Sequence, residues 1–348
     1  MRTRAWFGLL VLAATAASCG PGSAGPEPDA GGGGPDAGGG GDAAASADGA
    51  PGADAASACP GDSTLPAPAS CAGLGVVIDP FSAARYSCFD LGAVPGVPPQ
   101  KYGGLTLRPG SCQTTLLIGG EANYPEGKLY SITVRRDGRG HIGGFSGSAS
   151  ALGFDAAYTD GGVVFGPTGV LFLARWPSNQ LGMVAAGGSS TKIVDLGPLG
   201  ITSSPGGMNF VPTGFGGAGA LKLVSWPGGE WYTLSLAPDA VGSFDITAAS
   251  AGTPITGGPE GFTYVKAGSP NFAADSVLVS EWSANSIATY EIDATGDPVP
   301  ATRRSFLTGL TGAEGAYRDP DTGDFFFSTW SSGLDRVIVV RGFLPIID

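Results

Sequence analysis

The sequence predicts an all-β chain folded as a β-propeller, because one strand pattern that ends in tryptophan recurs at regular intervals. The four tryptophans are 50, 56 and 48 residues apart, so the period is close to 50 residues. Segments rich in Gly, Pro and Asp separate the apolar runs and supply turn geometry. The repeated strands are Leu171–Trp176, Leu221–Trp226, Val277–Trp282 and Phe325–Trp330.

The N-terminus predicts export. Two arginines precede an apolar run from Ala5 to Ala14, and small residues lead to Cys19. This order is typical of a secretory signal, and the run is too short to span a bilayer. A cysteine directly after small residues resembles the bacterial lipobox. The resemblance implies a signal peptide at 1–18, lipidation of Cys19 and, with Gly20 next, attachment to the outer membrane. Plain secretion is the alternative.

A tether is predicted between the lipidated cysteine and the folded domain. Of the 39 residues from 20 to 58, 33 are Gly, Ala, Pro or Ser and six are acidic. No large apolar side chain is present to offset the entropy of ordering. We therefore expect a signal peptide at 1–18, Cys19 with a disordered linker at 19–58, and a propeller domain at 59–348.

The charge of the chain excludes two classes of partner. The net charge is −12, and it becomes −14 when the signal peptide removes two arginines. Without a basic stripe, nucleic acid is a poor partner. An acidic protein is also a poor ligand for anionic headgroups, so contact with the membrane is expected through the lipid anchor. We expect a monomer.

Four further cysteines predict two disulfides, because an even number is usual in an exported chain. Cys59, Cys71, Cys88 and Cys112 allow three pairings. We favour Cys59–Cys71 and Cys88–Cys112, which would attach the N-terminal segment to the first blade. The spacing lacks the C-x-x-C pattern of a metal cluster.

The repeat predicts five blades. A divergent unit begins at Gly103–Leu107, and the last unit ends at Gly342 without a fourth strand. Tyr86–Gly92 echoes the fourth strand at Ile193–Gly197. We therefore expect this N-terminal strand to complete the C-terminal blade, which removes two free sheet edges. A sixth blade, with part of it in residues 59–85, is the alternative.

Three motifs make residues 100–343 resemble the NHL-repeat and gluconolactonase (senescence-marker-protein) propellers. They are Pro-Glu-Gly at Pro259–Gly261, Ala-Glu-Gly at Ala313–Gly315, and the turn Asp319–Gly323 before a β run. In gluconolactonase propellers, acidic and amide groups of the inner strands hold a catalytic divalent ion. The resemblance implies this role for Glu260, Glu314 and Asn209.

Strand geometry also places these residues at one mouth of the central channel. In an antiparallel hairpin the start of the first strand lies beside the end of the second. Glu260 therefore shares a face with Trp282, and Glu314 shares one with Trp330. Carboxylate and amide oxygens suit Ca²⁺, so a calcium site at Glu260 and Glu314, with Asn209, is expected. The alternative is that these groups face water or cap backbone amides.

The tryptophans at the strand ends have two interpretations. Trp226, Trp282 and Trp330 are candidate ligand-binding platforms at the mouth. Alternatively, they pack between blades, since burial of an indole removes roughly 150–250 Å² of surface from water.

No catalytic motif is evident. His141 is the only histidine, and no G-x-S-x-G elbow occurs. We therefore expect a lipid-anchored binding or scaffold module for a protein, peptide or glycan at the channel mouth. The alternative is a divalent-metal-dependent hydrolase of the lactonase type, so enzymatic activity stays undecided, with binding favoured.

Overall fold

A computed structural model describes residues 61–98, 101–110, 112–331 and 335–346. These residues form 23 strands in five antiparallel sheets, with five short 3₁₀ helices between them. No helix in the described ranges is long and apolar enough to span a bilayer. The predictions for the signal peptide, Cys19, the linker and Cys59 lie outside the described residues.

The strands in chain order are β1 (Ala69–Ser70), β2 (Val77–Ile78), β3 (Ser87–Gly92), β4 (Leu105–Leu107), β5 (Thr115–Gly120), β6 (Lys128–Arg136), β7 (Ile142–Ala151), β8 (Thr159–Phe165), β9 (Leu171–Arg175), β10 (Gln180–Val184), β11 (Lys192–Asp195), β12 (Pro205–Phe210), β13 (Leu221–Ser225), β14 (Glu230–Pro238), β15 (Phe244–Ala249), β16 (Thr253–Pro254), β17 (Pro259–Val265), β18 (Ser276–Glu281), β19 (Ser286–Glu291), β20 (Arg304–Thr308), β21 (Ala313–Arg318), β22 (Phe325–Thr329) and β23 (Val337–Arg341). The 3₁₀ helices are Cys71–Leu74, Pro167–Gly169, Gly197–Leu199, Trp282–Ala284 and Pro300–Thr302.

Each sheet is one blade of a five-bladed propeller. From the axis outwards, blade 1 is β4–β7, blade 2 is β8–β11 and blade 3 is β12–β15, with β16 beside β14. Blade 4 is β17–β20 with β2 at its outer edge, and blade 5 is β21, β22, β23, β3 and β1. The predicted fold class and blade number are confirmed for the described residues.

An N-terminal strand closes the ring, as predicted. β3 pairs with β23, with Gly92 opposite Val337 and Ser87 opposite Arg341. The short strands β1 and β2 extend the outer edges of blades 5 and 4. Residues 61–85 therefore supply edge strands, and the alternative of a sixth blade is wrong.

The predicted disulfide pairing is wrong, because Cys71 is bonded to Cys88 with a Cα–Cα distance of 5.4 Å. The reason is the pairing of β1 with β3, which places Ser70 opposite Phe89 and so brings Cys71 beside Cys88. This disulfide joins two segments of blade 5 and does not reach blade 1. Cys112 is also disulfide-bonded, and its partner lies outside the described residues.

Five glycines allow the inner strands to meet at the axis. β4, β8, β12, β17 and β21 each pack against the next strand around the circle. A Cβ on any of these glycines would lie 2.3–2.7 Å from a main-chain atom of a neighbouring inner strand, closer than real Cβ contacts. Only glycine can therefore occupy these five positions around the axis, and we call the five residues the glycine ring. Its members are Gly104, Gly162, Gly207, Gly261 and Gly315.

The hydrophobic core lies between the faces of neighbouring blades. Phe172 of blade 2 packs edge-to-face on Phe210 of blade 3, at 5.3 Å between ring centres. Trp231 of blade 3 contacts Phe262 of blade 4 at 4.2 Å. Strands inside the blades are buried on both faces, which is why their sequences are continuous apolar runs rather than alternating ones.

Charged side chains join blades 5 and 1 at the face opposite the tryptophans. Arg136 Nη1 lies 2.5 Å from the buried Asp319 carboxylate, and His141 Nδ1 lies 2.8 Å from Asp324. Arg341 Nη1 lies 3.3 Å from Asp137. These pairs engage Asp319 of the predicted turn and Asp324, the residue after it, and they connect the first and last blades of the ring.

The glycine ring predicts the effect of a single methyl group. In Gly261→Ala the new Cβ would meet the Ala316 nitrogen at 2.3 Å, so main chain must move. We expect a loss of about 3 kcal/mol in the free energy of unfolding, measured by urea titration. Gly153→Ala is the control, because nothing lies within 4 Å of its Cβ. Equal stability of the two variants would contradict a close-packed axis.

Candidate functional site

The channel opens at the end where the inner strands begin and the second strands finish. A cavity of about 90 Å³ lies there, which we call the mouth cavity. Three acidic side chains, one amide and four indoles line it. They are Asp160, Glu260, Glu314, Asn123, Trp176, Trp226, Trp282 and Trp330. The structure thus brings together Glu260, Glu314 and the three tryptophans that the sequence predicted to share this face.

Three carboxylates from different blades converge at the cavity. Asp160, Glu260 and Glu314 each offer an oxygen, and these oxygens lie within 4.8 Å of one another. We call these residues the acid triad. Their exposed fractions are 1%, 4% and 1%. The convergence follows from the glycine ring, because each acid stands one or two residues before a ring glycine.

Burial and mutual repulsion change the ionisation of the triad. Burial raises the pKa of Asp160 to about 7. Burial, and secondly the charge of Asp160, raises the pKa of Glu260 well above its usual range. The pKa of Glu314 is raised well above its usual range by burial and by the charges of Glu260 and Asp160. Removal of three like charges from water disfavours the ionised form of each.

The triad has no basic partner among the described residues, where no ion pair includes Asp160, Glu260 or Glu314. One oxygen of each carboxyl is buried without a hydrogen-bond partner in the protein, and so is Oδ1 of Asn123. Unpartnered buried charge is costly, so the site has to take up protons or a cation.

The four tryptophans form an arc around the mouth, which we call the tryptophan arc. Trp176, Trp226, Trp282 and Trp330 contact one another in sequence, edge-to-face, with ring centres 6.0, 5.7 and 5.8 Å apart. Trp330 Nε1 donates to the Ala122 carbonyl at 3.3 Å. All four residues are partly buried and keep some exposed surface. The indoles therefore contact one another from blade to blade and also line the cavity, and their role as ligand-binding platforms stays a prediction.

Blade 1 completes the circle with polar groups. Glu121 stands where the other repeats have tryptophan, and the loop after it places Asn123 at the cavity. The Lys101 ammonium lies 3.8 Å from the ring centre of Tyr124 and 5.1 Å from that of Trp330. Its Nζ also donates to the Tyr124 hydroxyl. The rim at this blade is therefore polar and already holds one ammonium against an indole.

Asn209 is not at the mouth, which corrects its predicted placement. It pairs with Lys222, three residues along β12 from Gly206, and so lies deeper between the blades. Its Nδ2 donates to the Phe262 carbonyl at 2.9 Å, and its Oδ1 accepts from the Phe210 amide at 2.9 Å. The side-chain amide is thus engaged with main chain and does not join Glu260 and Glu314.

Asp160 and Asn123 were missed from the sequence. Asp160 has a signal, because it directly precedes Gly161-Gly162, much as Glu260 precedes Gly261. Asp160 lies two residues before its ring glycine, Gly162, whereas Glu260 lies one residue before Gly261. The difference arises because β8 has a register shift between Thr159 and Val163. Asn123 had no such signal, because only the loop conformation, with φ of 71°, turns it to the cavity.

The fold and the site define a five-bladed β-propeller with a buried acidic cluster at one channel mouth.

No protein-family model and no curated protein matches the chain. Solved structures resemble it distantly. The apo-form of the soluble aldose sugar dehydrogenase from Escherichia coli is 13% identical over 72% of this chain and 86% of its own, with a TM-score of 0.42. A putative gluconolactonase is 14% identical over 77% and 96%, with a TM-score of 0.39. An auxiliary nutrient binding protein from Bacteroides ovatus is 9% identical over 74% and 76%, with a TM-score of 0.40. Similarity at this level carries no inference about function.

The raised pKa values predict that the cation-free protein loses stability with rising pH. A carboxyl with a raised folded-state pKa stabilises the fold below its unfolded pKa of about 4, and this contribution is lost as the pH rises through the folded value, about 7 for Asp160. We expect the free energy of unfolding in chelator to fall by about 2 kcal/mol between pH 5 and pH 8.

Glu314→Gln tests the origin of this pH dependence. Without one of the three like charges, the variant should lose less stability over the same pH range and exceed the wild type at pH 8. Glu291→Gln, at an exposed site, should keep the wild-type profile. If all three proteins show the same profile in urea titrations, the triad is not the source.

Proposed function

We propose that this protein is a binding module of the cell envelope whose ligand site is the channel mouth and whose site accepts a cation. The acid triad is the observation that carries this proposal. Three buried carboxylates with unpartnered oxygens and no basic partner among the described residues are costly to a fold that uses them for structure alone. Strongly perturbed carboxyls at a cavity are typical of functional sites.

A divalent ion is one cation that the triad suits. Ligand oxygens on opposite sides of Ca²⁺ are about 5 Å apart, and the triad oxygens lie within 4.8 Å of one another. Asn123 Oδ1, also buried and unpartnered, lines the same cavity and supplies a further oxygen of suitable type. The tryptophan arc then leaves apolar surface beside the ion for a protein, peptide or glycan ligand.

The position in the cell is part of the proposal and is supported by the sequence alone. The basic and apolar run before Cys19 and the linker at 19–58 favour an exported lipoprotein of the outer membrane. An acylated Cys19 would hold the domain at the membrane, and the linker would let the channel mouth stand off the surface. Partners are then proteins or glycans of the periplasm or cell surface.

A metal-dependent hydrolase is the second candidate, and the ionisation of Asp160 favours it. A pKa of about 7 suits a general base at neutral pH. A divalent ion held by Glu260 and Glu314 would polarise a carbonyl and activate water. The base has to be a carboxylate, because His141 is bonded to Asp324 at the opposite face. If this candidate is correct, the protein hydrolyses a lactone or an ester and Asp160→Asn abolishes that activity. Calcium binding without any hydrolysis would favour the binding module instead.

Calcium should stabilise the protein in a pH-dependent way. We expect millimolar CaCl₂ to raise the melting temperature of chelator-treated protein by about 3 °C or more at pH 8. The shift should be smaller at pH 5, because protonated carboxyls have to lose their protons before they bind an ion. Differential scanning calorimetry measures both values.

Two variants separate the triad from other acidic groups. Glu260→Gln should melt at or above the wild-type temperature in chelator, because a like charge is removed, and should show no response to calcium. Glu291→Gln should respond as the wild type does. A wild-type protein without any shift at pH 8, or a Glu260→Gln variant with the full shift, would remove calcium from the proposal.

A further inference from the structure

Each carboxyl of the triad has one oxygen without a hydrogen-bond partner in the protein, and in the ionised form all three oxygens are acceptors. They are Asp160 Oδ1, Glu260 Oε2 and Glu314 Oε1, and each belongs to a side chain that is at least 96% buried. A primary ammonium group carries three N–H donors and no acceptor. One ammonium therefore matches the triad in number of hydrogen bonds and in sign of charge. Charge-assisted hydrogen bonds of this kind are the strongest that side chains make.

The tryptophan arc supplies the surroundings that an alkyl chain behind such an ammonium needs. Indole faces attract cations and pack well on methylene groups. The partly buried indoles of Trp226 and Trp282 line the same cavity as the triad. At the rim, the Lys101 ammonium lies 5.1 Å from the Trp330 ring centre, so this aromatic surface already contacts one such group within the chain.

The size of the cavity limits the ligand to a narrow group. Its volume of about 90 Å³ holds a handful of water molecules. An ammonium with its first methylenes fits this space, whereas a sugar ring would have to stay at the rim. The ligand therefore inserts one end, and the rest of it lies outside the tryptophan arc.

We propose that the mouth cavity binds a primary alkylammonium group, with the ammonium on the acid triad and the alkyl stem against the surface that the indoles of Trp226 and Trp282 turn to the cavity. This inference rests on the proposed cation site and names its ligand class. The same group occurs on small free amines and on the side chain of lysine, and the experiment distinguishes the two sources.

The experiment is isothermal titration calorimetry of the full-length protein at pH 8 in chelator. The probes are n-butylammonium, tetramethylammonium, n-butanol and Nα-acetyl-lysine-N-methylamide. We expect n-butylammonium to bind at least about tenfold more tightly than tetramethylammonium, which lacks N–H donors, and n-butanol not to bind. Tighter binding of the lysine derivative than of n-butylammonium indicates a peptide source, and the reverse indicates a free amine.

Variants test the two halves of the site separately. Glu314→Gln should weaken n-butylammonium at least about tenfold, and Glu291→Gln should stay within about twofold of the wild type. Trp226→Leu should weaken n-butylammonium but leave calcium binding intact, since it changes only the aromatic wall. If Trp226→Leu has a lower melting temperature than the wild type, Trp226→Phe, which keeps an aromatic face, is the conservative variant to compare with it.

The outcomes separate this inference from the proposal on which it rests. Calcium stabilisation without n-butylammonium binding, or equal affinity for tetramethylammonium, overturns the ammonium inference and leaves the cation site. If neither calcium nor n-butylammonium binds, the cation site and the ammonium inference are both overturned. Binding of n-butylammonium that survives Glu314→Gln places the amine elsewhere and overturns the inference.

Discussion

The axis of this propeller depends on one steric constraint: five inner strands meet so closely that a Cβ would collide with the next strand. Gly207 and Gly261 show it most clearly, with the added Cβ at 2.3 Å from a main-chain atom of the neighbouring blade. The residues just before the glycine ring are consequently forced toward the axis as well. In three blades those residues are acids, so the contact that closes the circle also concentrates negative charge at one mouth.

Placing three carboxylates at this level carries a cost that the rest of the fold has to offset. Burial raises the pKa of each of Asp160, Glu260 and Glu314, and one oxygen of each has no partner in the protein. The cores between the blades and the disulfide between Cys71 and Cys88 supply the compensating stability. A destabilising arrangement on a rigid scaffold is typical of a site kept for function.

In the part of the chain that the structure describes, buried acids have basic partners at one face of the propeller, and the acid triad at the other face has none. At the far face Asp319 is paired with Arg136, and Asp324 with His141. Those pairs join blades 5 and 1 and give each of these two carboxylates a basic partner, while Asp324 Oδ1 is buried without a hydrogen-bond partner. At the mouth the triad has indoles and an amide for neighbours, which exclude water without neutralising charge. The acids at the mouth therefore differ from those at the far face in having no basic partner among the described residues.

The sequence by itself determined the features that local rules control. The period of about 50 residues gave five blades and the closure by β3, and antiparallel pairing placed Glu260, Glu314 and their tryptophans on one face. Tertiary structure alone decided the rest. The pairing of β1 with β3 decided the Cys71–Cys88 bond, and the position of Asn209 along β12 placed it away from the mouth. Closure of the ring of blades brought Asp160 next to Glu260 and Glu314, which are 100 and 154 residues further along the chain. Strand pairing within a hairpin is set by neighbouring residues, whereas convergence at the axis depends on how five blades share one close-packed centre.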